Sequence, residues 1–163
     1  VNNAVGNPLL NEGPHFLSAY LEFGNEFGGN GISKDLYDNV LRAKRLPASI
    51  GKAQFFDNIP SNTVIGVVAT DAPLTRTNLK RLAIMAHDGI ARSVNPAHTP
   101  MDGDTIFAIS TCKIINEQVL ENVDILTLGS RASDCVARAC NRAVYEALGI
   151  GNSKQGWKKK FLK

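Results

Sequence analysis

The stretch Asn62-Thr63-Val64-Ile65-Gly66-Val67-Val68-Ala69-Thr70-Asp71-Ala72-Pro73-Leu74 decides the fold of this chain. From Thr63 to Thr70 it is a continuous apolar, β-branched run, the pattern of a strand covered on both faces. Asp71-Ala72-Pro73 ends that strand. A helix is entered near Thr75, where Leu79, Leu82, Ala83, Ala86 and Ile90 recur along one stripe. The cations Arg76, Lys80 and Arg81 take the opposite face, and Pro96 closes the helix. A loop, Ala97-His98-Thr99-Pro100-Met101-Asp102-Gly103-Asp104, leads into a second strand expected over Thr105–Thr111. A final helix is expected from about Ser130 to Leu148, with Ala132, Val136, Ala139, Cys140, Ala143 and Ala147 on one stripe. Strand, helix, strand, helix predicts layered α/β packing.

Residues 1–62 are less regular. Gly24, Gly28, Gly29, Asn30 and Gly31 punctuate them, and Phe16–Phe23 reads as a short strand or a short helix, which periodicity does not decide. Ser33 followed by Asp35–Leu41 has the form of a capped helical segment, broken by Pro47 and Gly51.

The chain's 163 residues predict one domain, at about 100–200 residues per domain. A hydrophobic fraction of 44% with 20% charged residues excludes wholesale disorder and fibrous classes. No run approaches the roughly 18 apolar residues of a spanning helix, so no membrane association is expected. Cys112, Cys135 and Cys140 are an odd number without CxxC spacing, which speaks against a disulfide framework and a zinc site and for a reduced, cytoplasmic setting. The chain starts at Val1 without the charged and apolar regions of a signal peptide, and reads as a fragment or processed product. Its net charge of +3 comes from the end: Lys154–Lys163 holds five of the eighteen cations. Such a tail reads as a solvated end, an anionic partner being the alternative. No nucleic-acid partner is expected.

For chemistry, Asp102-Gly103-Asp104 places two carboxylates just before a strand. Gly103 permits a sharp turn, and neighbouring carboxylates shift each other's pKa. On spacing alone a plain turn before the strand is the preferred reading, and a paired-carboxylate site the alternative. His98 reads as a surface residue, and Cys112 as a buried, inert thiol at a strand end. Walker, GxGxxG, HExxH and GxSxG motifs are absent.

The Asn62–Leu74 stretch resembles the start of the β chain in the DmpA-type aminopeptidase family, which includes L-aminopeptidase/D-esterases, β-aminopeptidases and nylon-oligomer hydrolases. The resemblance continues through Met85–Arg92, Pro96–Ala108, Ala137–Ala139 and Ala143–Leu148, most of residues 62–148. It implies a layered αββα sandwich of the kind shared with ornithine acetyltransferases, incomplete here on its N-terminal side. It also implies an autoprocessing hydrolase of the N-terminal-nucleophile type. The precursor cuts itself between Asn62 and Thr63, dividing the chain into a remnant of the α region, 1–62, and a β region, 63–163. Thr63 then attacks amide bonds.

By the same resemblance Asp102 and Asp104 orient the hydroxyl and amine of Thr63. Asn3, in Asn3-Ala4-Val5-Gly6, is similar to the family's oxyanion asparagine, with Asn2 beside it blurring the register. The implied substrate is a small peptide or amide, with no cofactor or metal required. The implied assembly is a homo-oligomer, a tetramer of αβ units, with the missing α region on another chain or segment. An acyltransferase acting on ornithine and an inactive truncated subunit or scaffold are the alternatives.

Overall fold

A computed structural model describes residues 1–10, 13–36, 38, 62–113, 122–149 and 155–162. Among these residues three strands form one sheet: β1 (Asn2–Asn3), β2 (Thr63–Thr70) and β3 (Thr105–Ser110), in that order. β1 runs antiparallel to β2, pairing Asn2 with Val64 and Asn3 with Thr63. β3 runs parallel to β2, from Ile65 opposite Thr105 to Thr70 opposite Ser110. A parallel pair needs a crossover, and helix α1 (Arg76–Ser93) makes it. Thr75 starts α1 as expected, its side chain accepting a hydrogen bond from Asn78 N.

Helix α2 (Asn122–Glu146) begins some eight residues before the expected start. It packs on α1, and Gly89 allows the close approach: a Cβ there would lie 2.4 Å from the carbonyl oxygen of Ser133. The predicted α1 stripe holds, with Leu82, Ala86 and Ile90 buried against Val64, Ile106, Ala132 and Val136. Across the helices, Arg92 binds Asp134 at 2.7 Å and Ser133 at 3.1 Å.

Four expectations change. Among the described residues, helices cover one face of the sheet only: Ile65, Val67, Phe107 and Ile109 on the other face are exposed. A strand's composition reports what it prefers to be buried against, not whether this stretch of chain supplies the cover. For a related reason Ala139, Ala143 and Ala147 of the α2 stripe are exposed, while Ala132, Val136 and Cys140 are buried. Cys112 is exposed instead of buried, because β3 has ended and a left-handed φ of 49° turns the backbone off the sheet. The lysine-rich end is not simply solvated. Its helix α3 (Trp157–Phe161) buries Trp157 against Phe16 and Phe27, a second core that hydropathy of the lysines concealed.

Phe16–Phe23 forms neither a strand nor an α-helix but a single 3-10 turn at Ala19–Leu21. Ser33 does cap, its Oγ accepting from Leu36 N at 3.1 Å, with residues 34–36 and 38 helical. The remainder of that predicted segment and the break at Pro47 and Gly51 lie outside the described residues. Among the described residues no helix is long and apolar enough to cross a membrane.

Candidate active site

The start of β2 meets the end of the 97–104 loop because the parallel register of β2 and β3 continues backwards, as a bridge between Asn62 and Asp102. This places Gly103 over the Asn62–Thr63 peptide, where its N–H donates to the Asn62 carbonyl oxygen at 2.9 Å. The Thr63 hydroxyl also donates to that carbonyl oxygen, in a close contact. Thr63 is half-buried and Asn62 is buried.

One step further along, the ladder opens. A regular parallel ladder would hand the Val64 N–H to a main-chain carbonyl. Here it donates to Asp104 Oδ1 at 2.8 Å. The other oxygen, Oδ2, accepts from His98 N at 3.3 Å and lies 2.7 Å from His98 Nδ1. The Asp104 side chain is only 4% exposed, so its charge depends on these partners for the solvation that water no longer gives. The ring of His87 stacks on that of His98, centroids 4.2 Å apart, and His87 Nε2 lies 3.2 Å from the Asp104 main-chain oxygen. His98 has φ of 54°, a left-handed conformation that a non-glycine residue holds only when its surroundings insist.

Asp102 ties the loop down. Its Oδ2 accepts from Thr99 N at 3.1 Å and Thr99 Oγ1 at 2.6 Å, and Oδ1 accepts from Val5 N at 3.1 Å. That last bond brings the Asn3–Gly6 segment to the site. Asn3 sits opposite Thr63 in the β1–β2 register, whereas the Asn2 side chain turns away and donates to the carbonyl of Cys140 on α2 at 3.2 Å.

Thr63, Asn62, Asp102, Asp104 and Asn3, chosen on the sequence, are therefore brought together at one end of the sheet. The carboxylate contacts differ from those anticipated. Asp104 holds the backbone of the residue after Thr63, whereas Asp102 holds Val5 and Thr99, in the segment and the loop beside the threonine. With Asn62 and Thr63 joined, the nitrogen of Thr63 is an amide, and the anticipated contact to an amine has no amine to form on. His98, read from the sequence as a surface residue, is indeed exposed, yet it binds Asp104; nothing in the sequence singled out His87 or Thr99 for the site. No periodicity marks His98, whose one cue in the sequence is its place between Pro96 and Pro100, six residues before Asp104.

A trough of about 640 Å³ runs elsewhere, between the outer edge of β2 and the alanine face of α2, with Val1 and Asn2 at one end. Thr63 is not part of its lining. Burial pushes the thiol of Cys140, beside it, above the usual cysteine range, which keeps that sulfur protonated and unreactive.

Residues 19–158 match the description of peptidase family S58. An uncharacterised aminopeptidase of Mycobacterium tuberculosis is 43% identical over 98 residues, which cover 55% of this chain and 28% of that protein. One from Mycobacterium leprae is 43% identical over 123 residues, covering 69% of this chain and 34% of that protein. A 6-aminohexanoate-oligomer endohydrolase of Kocuria is 32% identical over 89 residues, covering 52% and 25%. The chain thus spans between a quarter and about a third of these relatives' lengths. A match over most of its residues decides the matter: the chain belongs to peptidase family S58, the DmpA-type family.

Proposed function

We propose that this chain is the catalytic part of an amide hydrolase whose nucleophile, Thr63, is released by self-cleavage of the Asn62–Thr63 bond. The observation that carries the reading is the Thr63 hydroxyl lying against the Asn62 carbonyl, in a site bounded by Asp102, Asp104 and Asn3. Cleavage turns an inert amide nitrogen into an α-amine, whose pKa of roughly 7.7–8.0 suits a general base near neutral pH. One residue then supplies both the attacking oxygen and the proton acceptor.

The hydroxyl attacks a substrate amide carbonyl, the amine half leaves, and water hydrolyses the resulting ester. Asp104 fixes the backbone just after Thr63, Asp102 fixes the Asn3–Gly6 segment against the 97–104 loop, and Asn3 faces the developing oxyanion. Relatives named as aminopeptidases and as a 6-aminohexanoate-oligomer hydrolase support small peptides or amides as the substrate class. The bare sheet face supports an αββα arrangement, in which the second sheet comes from the α region and the αβ units assemble into an oligomer.

Mass spectrometry of the purified protein tests the reading. A species beginning at Thr63 is expected for the wild type, and Thr63→Ala is expected to stay whole and inactive. Hydrolysis by Thr63→Ala at the wild-type rate would disprove the nucleophile.

A further inference from the structure

We infer that the main-chain N–H of Gly103 is the oxyanion donor for the self-cleavage step, so that Gly103 is a catalytic residue through its backbone. The inference deepens the self-cleavage reading and rests on it. Gly103 N–H already points at the carbonyl oxygen that must gain charge, at 2.9 Å. A donor aimed at that oxygen before reaction costs no reorganisation as charge develops. The Thr63 hydroxyl stands against the same carbonyl, so nucleophile and donor converge on one group.

The ladder explains why this bond is more than sheet pairing. It is the last main-chain bond before the opening at Val64, where the Asp104 carboxylate replaces the next carbonyl. The opening frees the peptide between Asn62 and Val64 from the regular pattern on its Val64 side, while its Asn62 side stays clamped. The residue type fits as well. A Cβ at position 103 would lie 3.1 Å from Thr63 Oγ1, tighter than a side chain comfortably sits. Glycine presents its N–H without crowding the hydroxyl.

The step balances as follows. Thr63 Oγ1 forms a bond to the Asn62 carbonyl carbon, and the carbonyl π pair moves onto oxygen, where Gly103 N–H holds it. The pair then returns as the bond to the Thr63 nitrogen breaks, and the hydroxyl proton ends on that nitrogen. Water next adds to the ester carbon. One of its protons returns to Oγ1 as the C–Oγ1 bond breaks, and the Asn62 carboxyl group is released, giving its proton to the Thr63 amine freed in the preceding step.

Replacing Gly103 by glycolic acid through nonsense suppression exchanges the N–H for an ester oxygen and changes nothing else in the side chains. Formation of the species beginning at Thr63 is expected to slow by about 10²–10³-fold, the usual loss for one oxyanion donor. Cleavage of the ester chain at the wild-type rate would overturn the inference while leaving self-cleavage intact. A wild-type chain that never cleaves sinks the underlying reading instead. Should the ester chain fail to fold, the Thr63→Ala chain carrying a ¹³C label at the Asn62 carbonyl decides by infrared spectroscopy. A band lowered by hydrogen bonding is expected, and a band at the frequency of an unbonded amide overturns the assignment.

Discussion

His98 sits with φ of 54°, its ring stacked on His87 and its edge, through Nδ1, against the Asp104 carboxylate. A left-handed histidine is tolerable only because three contacts hold it: its own N–H and Nδ1 on Asp104 Oδ2, and the stack on His87. Removing the ring leaves a nearly buried carboxylate with one partner fewer, and a hydrogen bond to a charged group is worth about 1.5–3 kcal/mol. His98→Ala is therefore expected to lower the rate of cleavage at Thr63 by about 10–100-fold without unfolding the chain. His98→Asn should lose less, since asparagine accepts left-handed backbone readily and its amide can donate to Asp104. Time-resolved intact-mass measurements on the two variants check the order. Equal rates for both variants and the wild type would make the pair irrelevant to processing. None of this was legible in the loop's composition, because a single histidine between prolines shows no periodicity. Asp102 and Asp104 were legible only through the resemblance; their spacing alone describes a turn.

At the scale of elements, the legible parts were those whose residues repeat. α1 and the β2–β3 pair follow from a 3.6-residue stripe and a β-branched run, and both occur close to where the pattern put them. α3 was not legible, since three of its five residues are lysines and only Trp157 and Phe161 speak for a core. Yet Trp157 stacks on Phe16, with centroids 5.6 Å apart, and tilts against Tyr145, fastening the chain's end to its beginning. Trp157→Ala is expected to cost about 3–5 kcal/mol of stability, read as a fall in urea midpoint at unchanged slope. A second tie joins the same region to α2: Arg138 holds Glu26 in a bidentate pair. The hydrogen bonds from Arg138 hold the Glu26 carboxyl below its ordinary value of 4.5, outweighing desolvation. A depressed carboxyl contributes stability that is complete above the unfolded-state pKa and is lost as pH falls through the lower folded value. Below about pH 4.5, Glu26→Gln should therefore show a shallower loss of stability with acid than the wild type. Near pH 7 the cost should be about 1–3 kcal/mol, since the Arg138 and Glu26 side chains are only 31% and 14% exposed. Denaturant titrations at about pH 3, about pH 4 and about pH 7 measure both effects.

At the largest scale, the decisive fact is that the described residues form a three-stranded sheet with one face clothed by helices and one bare. Val64 and Ile106 are buried beneath the helices, while Val67 and Phe107, their neighbours on the opposite face, are 60% and 56% exposed. Ile65 and Ile109 extend the same apolar surface. The outer edge of β2 compounds the problem. β1 pairs with Thr63 and Val64, Val1 bonds to Ile65, and beyond Ile65 no strand among the described residues lies on that edge. An apolar face joined to an open edge drives association in water, both by burial of area and by strand pairing. The sequence forecast burial for β2 on both sides, and the physical content of that forecast survives as a demand for cover. The chain, which spans between a quarter and about a third of its relatives' lengths, is accordingly expected to self-associate when studied by itself. Val67→Glu with Phe107→Lys places opposite charges on adjacent strands, directly across the β2–β3 register, where they can pair with each other. Neither side chain contributes to the core under the helices, so the double variant should keep its helical circular dichroism. Sedimentation velocity over a range of concentrations should show the wild type growing heavier with concentration and the variant remaining at the mass of one chain. Identical concentration dependence for the two would place the association elsewhere, on the alanine face of α2 or along the β2 edge, and variants there would separate those sites.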